Sequence, residues 1–216
     1  MKYSVVIVAA GSSTRFNQGI SKMLYSFENG ERVIDRTLKL FIEDEDCTQV
    51  VVVCNEEVAE YLAGKKSIGK VMYCHGGATR QMSVYNGLLA VMEDIVLVHD
   101  GARCFLEKKD LEKLKKAVKP DCGALLVKSM VDTVKVVEDG LVVKTLNRDT
   151  LKRAQTPQGF PTEELLKAYR KAFEDGFTAT DDAQLIENYS DLKVRCVESE
   201  GHNTKVTVID DVRGVR

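Results

Sequence analysis

The sequence predicts an α/β fold: a mainly parallel, twisted sheet with helices on both faces, together with a projecting β-hairpin arm. Apolar, β-branched runs recur at residues 3–9, 50–54, 71–74, 95–99 and 124–127. Each run is apolar throughout instead of alternating with polar residues, which is typical of strands buried on both faces. Helical patterns between the runs supply the layers that would bury them.

The helical patterns are apolar residues at three- or four-residue steps, which place them on one face of a helix. Their positions are Val33, Leu38 and Phe41; then Met82, Tyr85, Leu88, Leu89 and Met92; then Leu111, Leu114 and Val118. Strand, helix and strand repeated in this order predict a Rossmann-like architecture, because each crossover helix returns the chain to a parallel neighbour.

After residue 127 the alternation changes. Residues 133–145 form two β-rich runs around Asp139-Gly140, a dipeptide that accepts the positive φ angles of a tight hairpin turn. We expect this hairpin to interrupt the α/β order and to project from the body. The sequence shows no linker, repeat or low-complexity tract, so residues 1–216 are expected to form a single domain, with residues 131–147 as its β-arm.

The last third of the chain is expected to hold two helices and two strands. Thr162 should cap a helix that Gly176 ends, since hydroxyl groups favour helix N-termini and glycine favours the turn after a helix. A second helix should open at residues 180–182. Strands near residues 193–197 and 204–209 are expected to close the chain, and residues 154–158 are expected to form a loop.

Composition excludes several classes of protein. The 216 residues include 31 Lys and Arg against 33 Asp and Glu, which gives a formal charge of −2. No basic block exceeds a doublet, which argues against a protein that neutralises many phosphates along a nucleic acid. The apolar run at residues 5–10 is too short for a signal sequence or a membrane span. We therefore expect a cytoplasmic protein with neither nucleic acid nor membrane as a partner.

The six cysteines lie at least seven residues apart, so the sequence has no Cys-x-x-Cys pair, and only three histidines accompany them. We expect reduced thiols and no structural zinc site. Cys104 directly follows Arg103, and a neighbouring cation favours the thiolate form. We therefore expect Cys104 to be the cysteine most prone to alkylation.

The first strand-like run ends in the segment AAGSSTR at residues 9–15, and Lys22 follows seven residues later. Small residues let backbone N–H groups approach phosphate oxygens, while Arg15 and Lys22 supply the charge that a triphosphate requires. Neither the Walker A motif nor Gly-x-Gly-x-x-Gly is present. A glycine at a strand end also suits an ordinary α/β turn, so both interpretations stand at this point.

Two further segments follow strand-like runs. The segment HGGATRQMS at residues 75–83 precedes a helix, whose first N–H groups favour a nucleotide; the alternative is a plain turn with an exposed Arg80. The segment HDGAR at residues 99–103 places Asp100 at the sheet edge where open α/β sheets bind ligands. Asp100 could hold Mg²⁺ or a hydroxyl group and Arg103 a phosphate, unless the two form only a local ion pair.

Taken in order, these motifs resemble the 2-C-methyl-D-erythritol 4-phosphate cytidylyltransferase family. The resemblance runs from about residue 5 to residue 209, and the segments AQTPQGF (residues 154–160) and TDDA (residues 180–183) are highly specific for the family. It implies a nucleotidyltransferase domain that joins CTP to the polyol phosphate, releases pyrophosphate and uses Mg²⁺ or another divalent cation. It also implies a homodimer in which the β-arm reaches the neighbouring subunit's site.

The resemblance further implies roles for individual residues. The catalytic residues would be Arg15, Lys22, Asp100 and Lys205, with Asp100 also the metal ligand. The nucleotide-binding residues would be Ala9, Ala10, Gly11, Gly77, Arg80 and Ser83. The residues that bind the methylerythritol phosphate would be Arg103, Thr133, Arg148, Thr156 and Lys205. The sequence departs from the family pattern at Ser21, Ala78, Gly101 and Cys104, and none of these removes a charge from the reaction.

Two alternatives to this function remain open. A cytidylyltransferase for another polyol phosphate, such as ribitol 5-phosphate, would share the triphosphate loop, although residues 148–158 look more like the methylerythritol enzyme. A catalytically silent nucleotide-binding or regulatory module would keep the fold alone. The second alternative is disfavoured because such a module has no chemical reason to keep Arg15, Lys22, Asp100 and Lys205 together.

Overall fold

The computed structural model describes residues 1–16, 19–65 and 69–212. The strands are β1 (Tyr3–Ala9), β2 (Cys47–Cys54), β3 (Val71–His75), β4 (Ile95–Asp100), β5 (Cys122–Ser129), β6 (Lys135–Glu138), β7 (Leu141–Thr145), β8 (Lys152–Pro161) and β9 (Lys193–Glu198). The helices are α1 (Val33–Ile42), α2 (Glu56–Ala63), α3 (Arg80–Leu88), α4 (Lys108–Ala117), α5 (Thr162–Glu174) and α6 (Asp182–Tyr189). Within the described ranges, no helix has the length and apolar character needed to cross a membrane.

The main sheet has the strand order β3-β2-β1-β4-β8-β5-β9. Strands β1 to β4 run parallel, and β8 is antiparallel to its neighbours β4 and β5. The predicted mainly parallel α/β sheet is therefore confirmed. In the strand register, Asp100 pairs with Val8, and Cys54 pairs with both Ala9 and His75. The carboxyl ends of β1 to β4 thus meet at one edge of the sheet.

Helices cover both faces of this sheet. Side chains of α1, α2 and α4 pack on one face, and those of α3, α5 and α6 pack on the other. Along β1, Val5 and Ile7 belong to the first layer and Val6 to the second, and all three are fully buried. This arrangement explains why the inner strands are apolar without alternation. The expectation of burial on both faces is wrong for β3, an edge strand whose Met72 and Tyr73 are 41% and 45% exposed.

Two predictions about extended segments are wrong. Residues 154–158, expected to be a loop, form the centre of β8, whose polar side chains are buried and hydrogen-bonded; Gln158, for example, accepts a hydrogen bond from the Ala183 N–H. Residues 204–209, expected to be a strand, contain none. There, the N–H groups of Thr207 and Val208 donate to the Asp211 carboxylate instead of to a neighbouring strand.

The helical predictions are confirmed with three differences. Helix α3 ends at Leu88, so Leu89 and Met92, which were expected on its apolar face, lie beyond its last residue and are 58% and 78% exposed. Helix α2 was not predicted, and it begins after Asn55, whose side chain accepts a hydrogen bond from the Val58 N–H. The expected cap of α5 is wrong, because the Thr162 hydroxyl donates to the Glu93 carbonyl oxygen and α5 begins without a side-chain cap.

The predicted hairpin is present as a two-stranded sheet of its own, formed by β6 and β7. Asp139 (φ 48°) and Gly140 (φ 77°) make its turn, as the positive φ angles require. Its apolar side chains face solvent: Leu141 is 73% exposed and Val142 is 63% exposed. Clustered apolar exposure of this kind is typical of interaction surfaces.

Candidate active site

A cavity of about 370 Å³ opens at the edge where the carboxyl ends of β1 and β4 meet. Its walls come from the loop after β1, the loop between β3 and α3, and the segment around Lys205. Nine predicted site residues line it: Ala9, Ala10, Gly11, Lys22, Gly77, Arg80, Ser83, Asp100 and Lys205. The volume lies within the range of small-molecule pockets, roughly 300–1,000 Å³.

Lys22 is held at the cavity by the loop after β1. Its backbone N–H donates to Ser13 Oγ at 3.0 Å, and a short 3-10 turn begins at Lys22 itself. Burial lowers the pKa of Lys22, the positive charges of Lys205 and Arg15 lower it further, and the Asp100 carboxylate opposes them. Several cations therefore repel one another here, and an anion that entered would relieve that repulsion.

The loop between β3 and α3 accommodates only glycine at two positions. A Cβ atom on Gly76 would lie 2.3 Å from Ala10 Cβ, and one on Gly77 would lie 2.4 Å from Met82 Cβ. The Gly77 N–H donates to Ser83 Oγ at 3.0 Å, which fixes the loop on the first turn of α3. Gly76 lets this loop close against the loop after β1, and Gly77 lets it close against the start of α3. The two loops together form part of the cavity wall.

Asp100 is the centre of charge in the site, and its side chain is 10% exposed. Its Oδ2 accepts from Lys205 Nζ at 2.8 Å, its Oδ1 accepts from Arg80 Nε at 3.2 Å, and Arg103 Nε lies 3.7 Å from Oδ2. Burial alone would raise the pKa of Asp100, but these three cations hold it well below its usual range. One ionised carboxylate is thus shared by three cations.

Lys205 lies in the loop after β9, and this loop reaches the site without forming a strand. The fully buried Asp110 on α4 accepts from Ser199 Oγ at 2.7 Å and from the Gly201 N–H at 3.0 Å. Further along, Asn203 Nδ2 donates to a backbone carbonyl of β8 at 2.8 Å. These hydrogen bonds hold the loop in place of the backbone hydrogen bonds that a strand would make with its neighbours. They fix the direction from which Lys205 approaches the site.

Behind Asp100 lies a buried hydrogen-bonded pair, Thr156 and His99. The Asp100 N–H donates to Thr156 Oγ1 at 3.0 Å, and Thr156 Oγ1 lies 3.2 Å from His99 Nδ1. His99 Nε2 faces the Arg103 carbonyl oxygen at 3.3 Å. Because a carbonyl oxygen only accepts, Nε2 carries the ring proton and Nδ1 accepts from the Thr156 hydroxyl. Burial lowers the pKa of His99 to about 3, so the ring is neutral.

Five predicted site residues do not line the cavity. Three of them influence residues that do line it. The charge of Arg15 lowers the pKa of Lys22, Arg103 faces the Asp100 carboxylate, and Thr156 accepts a hydrogen bond from the Asp100 N–H. Thr133 and Arg148 lie at the base of the arm, where both are exposed and Arg148 Nη1 donates to the Val131 carbonyl oxygen at 2.6 Å. Within one chain, the predicted nucleotide-binding residues therefore lie together at the cavity, while Thr133 and Arg148 lie apart from it.

The expectation that Cys104 is the most reactive thiol is wrong. Cys104 is only 5% exposed, and burial raises the pKa of its thiol to about 12. Its neighbour Arg103 donates to the Asn203 carbonyl oxygen at 2.8 Å and faces Asp100, not the sulfur. Cys196 on β9 is the exposed thiol among the described residues.

Comparison with known proteins gives the family. A sequence model described as 2-C-methyl-D-erythritol 4-phosphate cytidylyltransferase matches residues 3–214. The chain belongs to this family. The resemblance drawn from the motifs is thereby confirmed, and the match includes every residue that lines the cavity.

Relatives in the cytidylyltransferase family match over nearly their whole length. A Bacillus mycoides protein of that name is 40% identical over 97% of this chain and 94% of its own length. A Fusobacterium nucleatum protein of the same name is 35% identical over 98% and 94%. The solved structure of the Francisella tularensis enzyme has a TM-score of 0.81 and 30% identity, over 98% of this chain and 97% of that one. An Anaerococcus prevotii 4-diphosphocytidyl-2C-methyl-D-erythritol synthase has a TM-score of 0.82 and 29% identity, over 98% and 92%.

Sequence reasoning missed the residues that support this family's site from behind. Asp110 and Asn203 carried no local signal, because their bonds connect positions 89 and 47 residues away in the chain. His99 stood beside a predicted site residue, yet its role depends on Thr156, which was expected in a loop. The supporting network therefore became visible only when β8 was placed between β4 and β5.

Proposed function

We propose that this chain transfers the cytidylyl group of CTP to 2-C-methyl-D-erythritol 4-phosphate, giving 4-diphosphocytidyl-2-C-methyl-D-erythritol and pyrophosphate. The observation that carries the proposal is the convergence of Lys22, Arg80 and Lys205 on one cavity walled by a glycine loop. Membership of the cytidylyltransferase family supplies the two substrates and the isoprenoid pathway. The cytoplasmic location expected from the sequence remains a prediction.

The chemistry requires positioning and charge neutralisation more than proton transfer. A phosphate monoester has a second pKa of about 6 and is largely dianionic at pH 7. One of its oxygens attacks the α-phosphorus of CTP in line, and the bond to the pyrophosphate oxygen breaks. No protein base is needed, which agrees with a site whose neighbouring histidine, His99, is neutral and sealed behind Thr156.

The cations divide between the two substrates in this proposal. Lys22 and Arg15, at the loop after β1, would bind the triphosphate and stabilise negative charge in the transition state. Lys205 and Arg103 would bind the acceptor phosphate. Arg103 Nε supports this role, because it is buried and has no hydrogen-bond partner among the described residues.

A magnesium ion is part of the proposal, and the site offers it one protein ligand. No group of three or more Asp, Glu, His or Cys side chains suited to a metal occurs in the described parts of the chain. Mg²⁺ commonly binds through one or two carboxylates together with substrate phosphates and water, and Asp100 fits that requirement as a single ligand. We propose that Asp100 would hold the ion, whose positive charge would neutralise part of the negative charge on the CTP phosphates.

The homodimer is likewise a proposal, supported by the arm. The side chains of Val131, Val137, Leu141, Val142 and Val143 are all at least half exposed. An isolated two-stranded hairpin is marginally stable in water, so a partner surface would stabilise it. A symmetric dimer in which each arm crosses to the neighbour would bring Thr133 and Arg148 to the partner's cavity.

The proposed function is tested by measuring pyrophosphate release from the purified protein. The assay combines CTP with methylerythritol, ribitol or glycerol phosphate, and in parallel combines the preferred acceptor with ATP or GTP. We expect turnover with CTP and 2-C-methyl-D-erythritol 4-phosphate, and at least tenfold less with the other acceptors and with purine nucleotides. A preference for ribitol 5-phosphate would reassign the acceptor, and no turnover with any acceptor would support a silent module.

A further inference from the structure

Asp182 is a fully buried carboxylate at the start of α6, and it does not line the cavity. Its Oδ2 accepts from Arg80 Nη2 at 2.9 Å, and its Oδ1 lies 3.4 Å from Arg80 Nη1. The Tyr169 hydroxyl, from α5, donates to the same Oδ1. The acid thus joins the first turns of α3 and α6 to the middle of α5.

The third guanidinium nitrogen of Arg80, Nε, faces the active site. While the two terminal nitrogens face Asp182, Nε donates to Asp100 Oδ1 at 3.2 Å. The guanidinium group is planar and rigid, so a two-point contact at one end fixes the direction of the N–H at the other end. The position of the Asp100 carboxylate therefore depends on Asp182 through one arginine.

The surroundings keep Arg80 charged and the Tyr169 hydroxyl protonated. Burial alone would lower the pKa of Arg80, but the carboxylates of Asp182 and Asp100 raise it above its ordinary value. Burial and the Asp182 charge raise the pKa of Tyr169 well above its ordinary value, so its hydroxyl keeps its proton and donates. Removing one partner of such a buried pair leaves an uncompensated charge, so the three side chains act as a unit.

We propose that Asp182 is a positioning residue for cytidylyl transfer: it fixes the Arg80 guanidinium at the cavity wall and, through Arg80, the carboxylate of Asp100. This inference rests on the proposed function for its readout. The competing explanation is that Asp182 only joins three helices. The two explanations differ in whether the effect of Asp182 on activity passes through Arg80.

A double-mutant cycle separates the two explanations. The variants are Asp182→Asn, Arg80→Ala and the double variant, with Asp181→Asn as the matched control. Asp181 carries the same group one residue earlier. It caps α6 through the Gln184 N–H, accepts a hydrogen bond from Gln158 Nε2 at 3.0 Å, and forms no hydrogen bond or ion pair with Arg80 among the described residues. Asparagine caps helices about as well as aspartate, so the control removes one charge from the same turn and keeps the helix.

We expect Asp182→Asn to lower kcat/KM for CTP by roughly 10- to 100-fold, as the misplacement of a site group does, while Asp181→Asn stays within about twofold. The double variant should be no less active than Arg80→Ala, because Asp182 acts through the arginine. A double variant whose loss in kcat/KM equals the product of the two single-variant losses would overturn the proposal. An unchanged kcat/KM in a folded Asp182→Asn protein would overturn it too.

Two further measurements keep the test decisive. If Asp182→Asn does not fold, Tyr169→Phe removes a single hydrogen bond of the unit and should still lower kcat/KM by a few fold. The rise in melting temperature caused by CTP, measured across the same cycle, reports nucleotide binding without any acceptor. A wild-type protein that binds CTP without turnover would contradict the proposed function, while non-additive binding would still support the coupling of Asp182 to Arg80.

Discussion

Lys205 Nζ lies 2.8 Å from Asp100 Oδ2, although 105 residues separate the two in the chain. The contact joins the end of β4 to a loop that has no strand of its own. Because Arg80 contacts the other oxygen of the same carboxylate, Asp100 holds two cations at a fixed separation before any substrate binds. Cations placed in advance need little rearrangement when phosphate charge develops, and that preorganisation is a main source of transition-state stabilisation.

Replacement of Lys22 by alanine should lower kcat by about 10²-fold or more, because it removes a cation proposed to face the triphosphate. The fold should survive, since Lys22 donates to Ser13 only through its backbone. Steady-state pyrophosphate release and a thermal melt measure the two effects. Lys116→Ala, which removes an exposed lysine of α4, is the control and should change neither. An unchanged kcat in Lys22→Ala would remove the residue from the mechanism.

A methyl group at Gly76 should disturb the site by pushing two loops apart. A Cβ there would lie 2.3 Å from Ala10 Cβ, and no flexible side-chain end is available to move away. We expect Gly76→Ala to raise KM for CTP by roughly tenfold, as a displaced binding group does. Gly69→Ala is the matched control, because a Cβ at Gly69 meets nothing within 4 Å. Equal KM values for the two variants would contradict the proposed role of the loop.

Replacement of Thr156 by valine tests whether the hydroxyl supports Asp100. Valine has nearly the same shape but leaves the Asp100 N–H and His99 Nδ1 without partners. We expect the free energy of unfolding to fall by roughly 1–3 kcal/mol, the cost of a buried unpaired group. Thr156→Ser keeps the hydroxyl and should lose less, as urea unfolding of the two variants would show. A valine variant as stable as the serine variant would argue against this network.

How much of the molecule the sequence predicts depends on where the partners of each residue lie. Strands β1 and β4 were predicted because apolar residues that face both layers leave a local pattern. Strand β8 was missed because Gln155, Thr156 and Gln158 are polar and their burial depends on partners elsewhere. The same applies to Asp182, whose contact with Arg80 spans 102 residues. Local patterns predicted the elements, while the bonds that aim the site side chains are long-range.

Stability should fall as the pH decreases from about 6.5, because His99 is neutral in the fold. Its pKa is lowered from 6.5 to about 3 by burial, so the unfolded chain binds a proton over this range and the folded chain does not. The stabilisation is therefore complete above pH 6.5 and is lost as the pH falls towards 3. One proton gives a slope of about 1.4 kcal/mol per pH unit. Urea unfolding between pH 5 and 8 measures it.

The matched variant for this pH dependence is His99→Asn, which removes the titrating ring and retains a polar side chain. Its free energy of unfolding should be lower at pH 7, because the ring packs against Phe41 and is fully buried. Between pH 6.5 and 5, the slope of its free energy of unfolding against pH should be smaller than that of the wild type by about 1.4 kcal/mol per pH unit, which corresponds to one proton. Parallel curves for the two proteins over that interval would show that His99 is already protonated in the fold.

The last prediction concerns the proposed crossing of the arm between subunits. If each site combines Lys22 of one subunit with Arg148 of the other, Lys22→Ala and Arg148→Ala homodimers should both be nearly inactive. Unfolding the two variants together and refolding them pairs the chains at random, so about half of the dimers are mixed. Each mixed dimer holds one site with both lesions and one intact site, and roughly a quarter of the wild-type activity should return. An arm that served its own chain would leave one lesion in every site, so mixed dimers confirmed by mass but without recovered activity would reject the shared site.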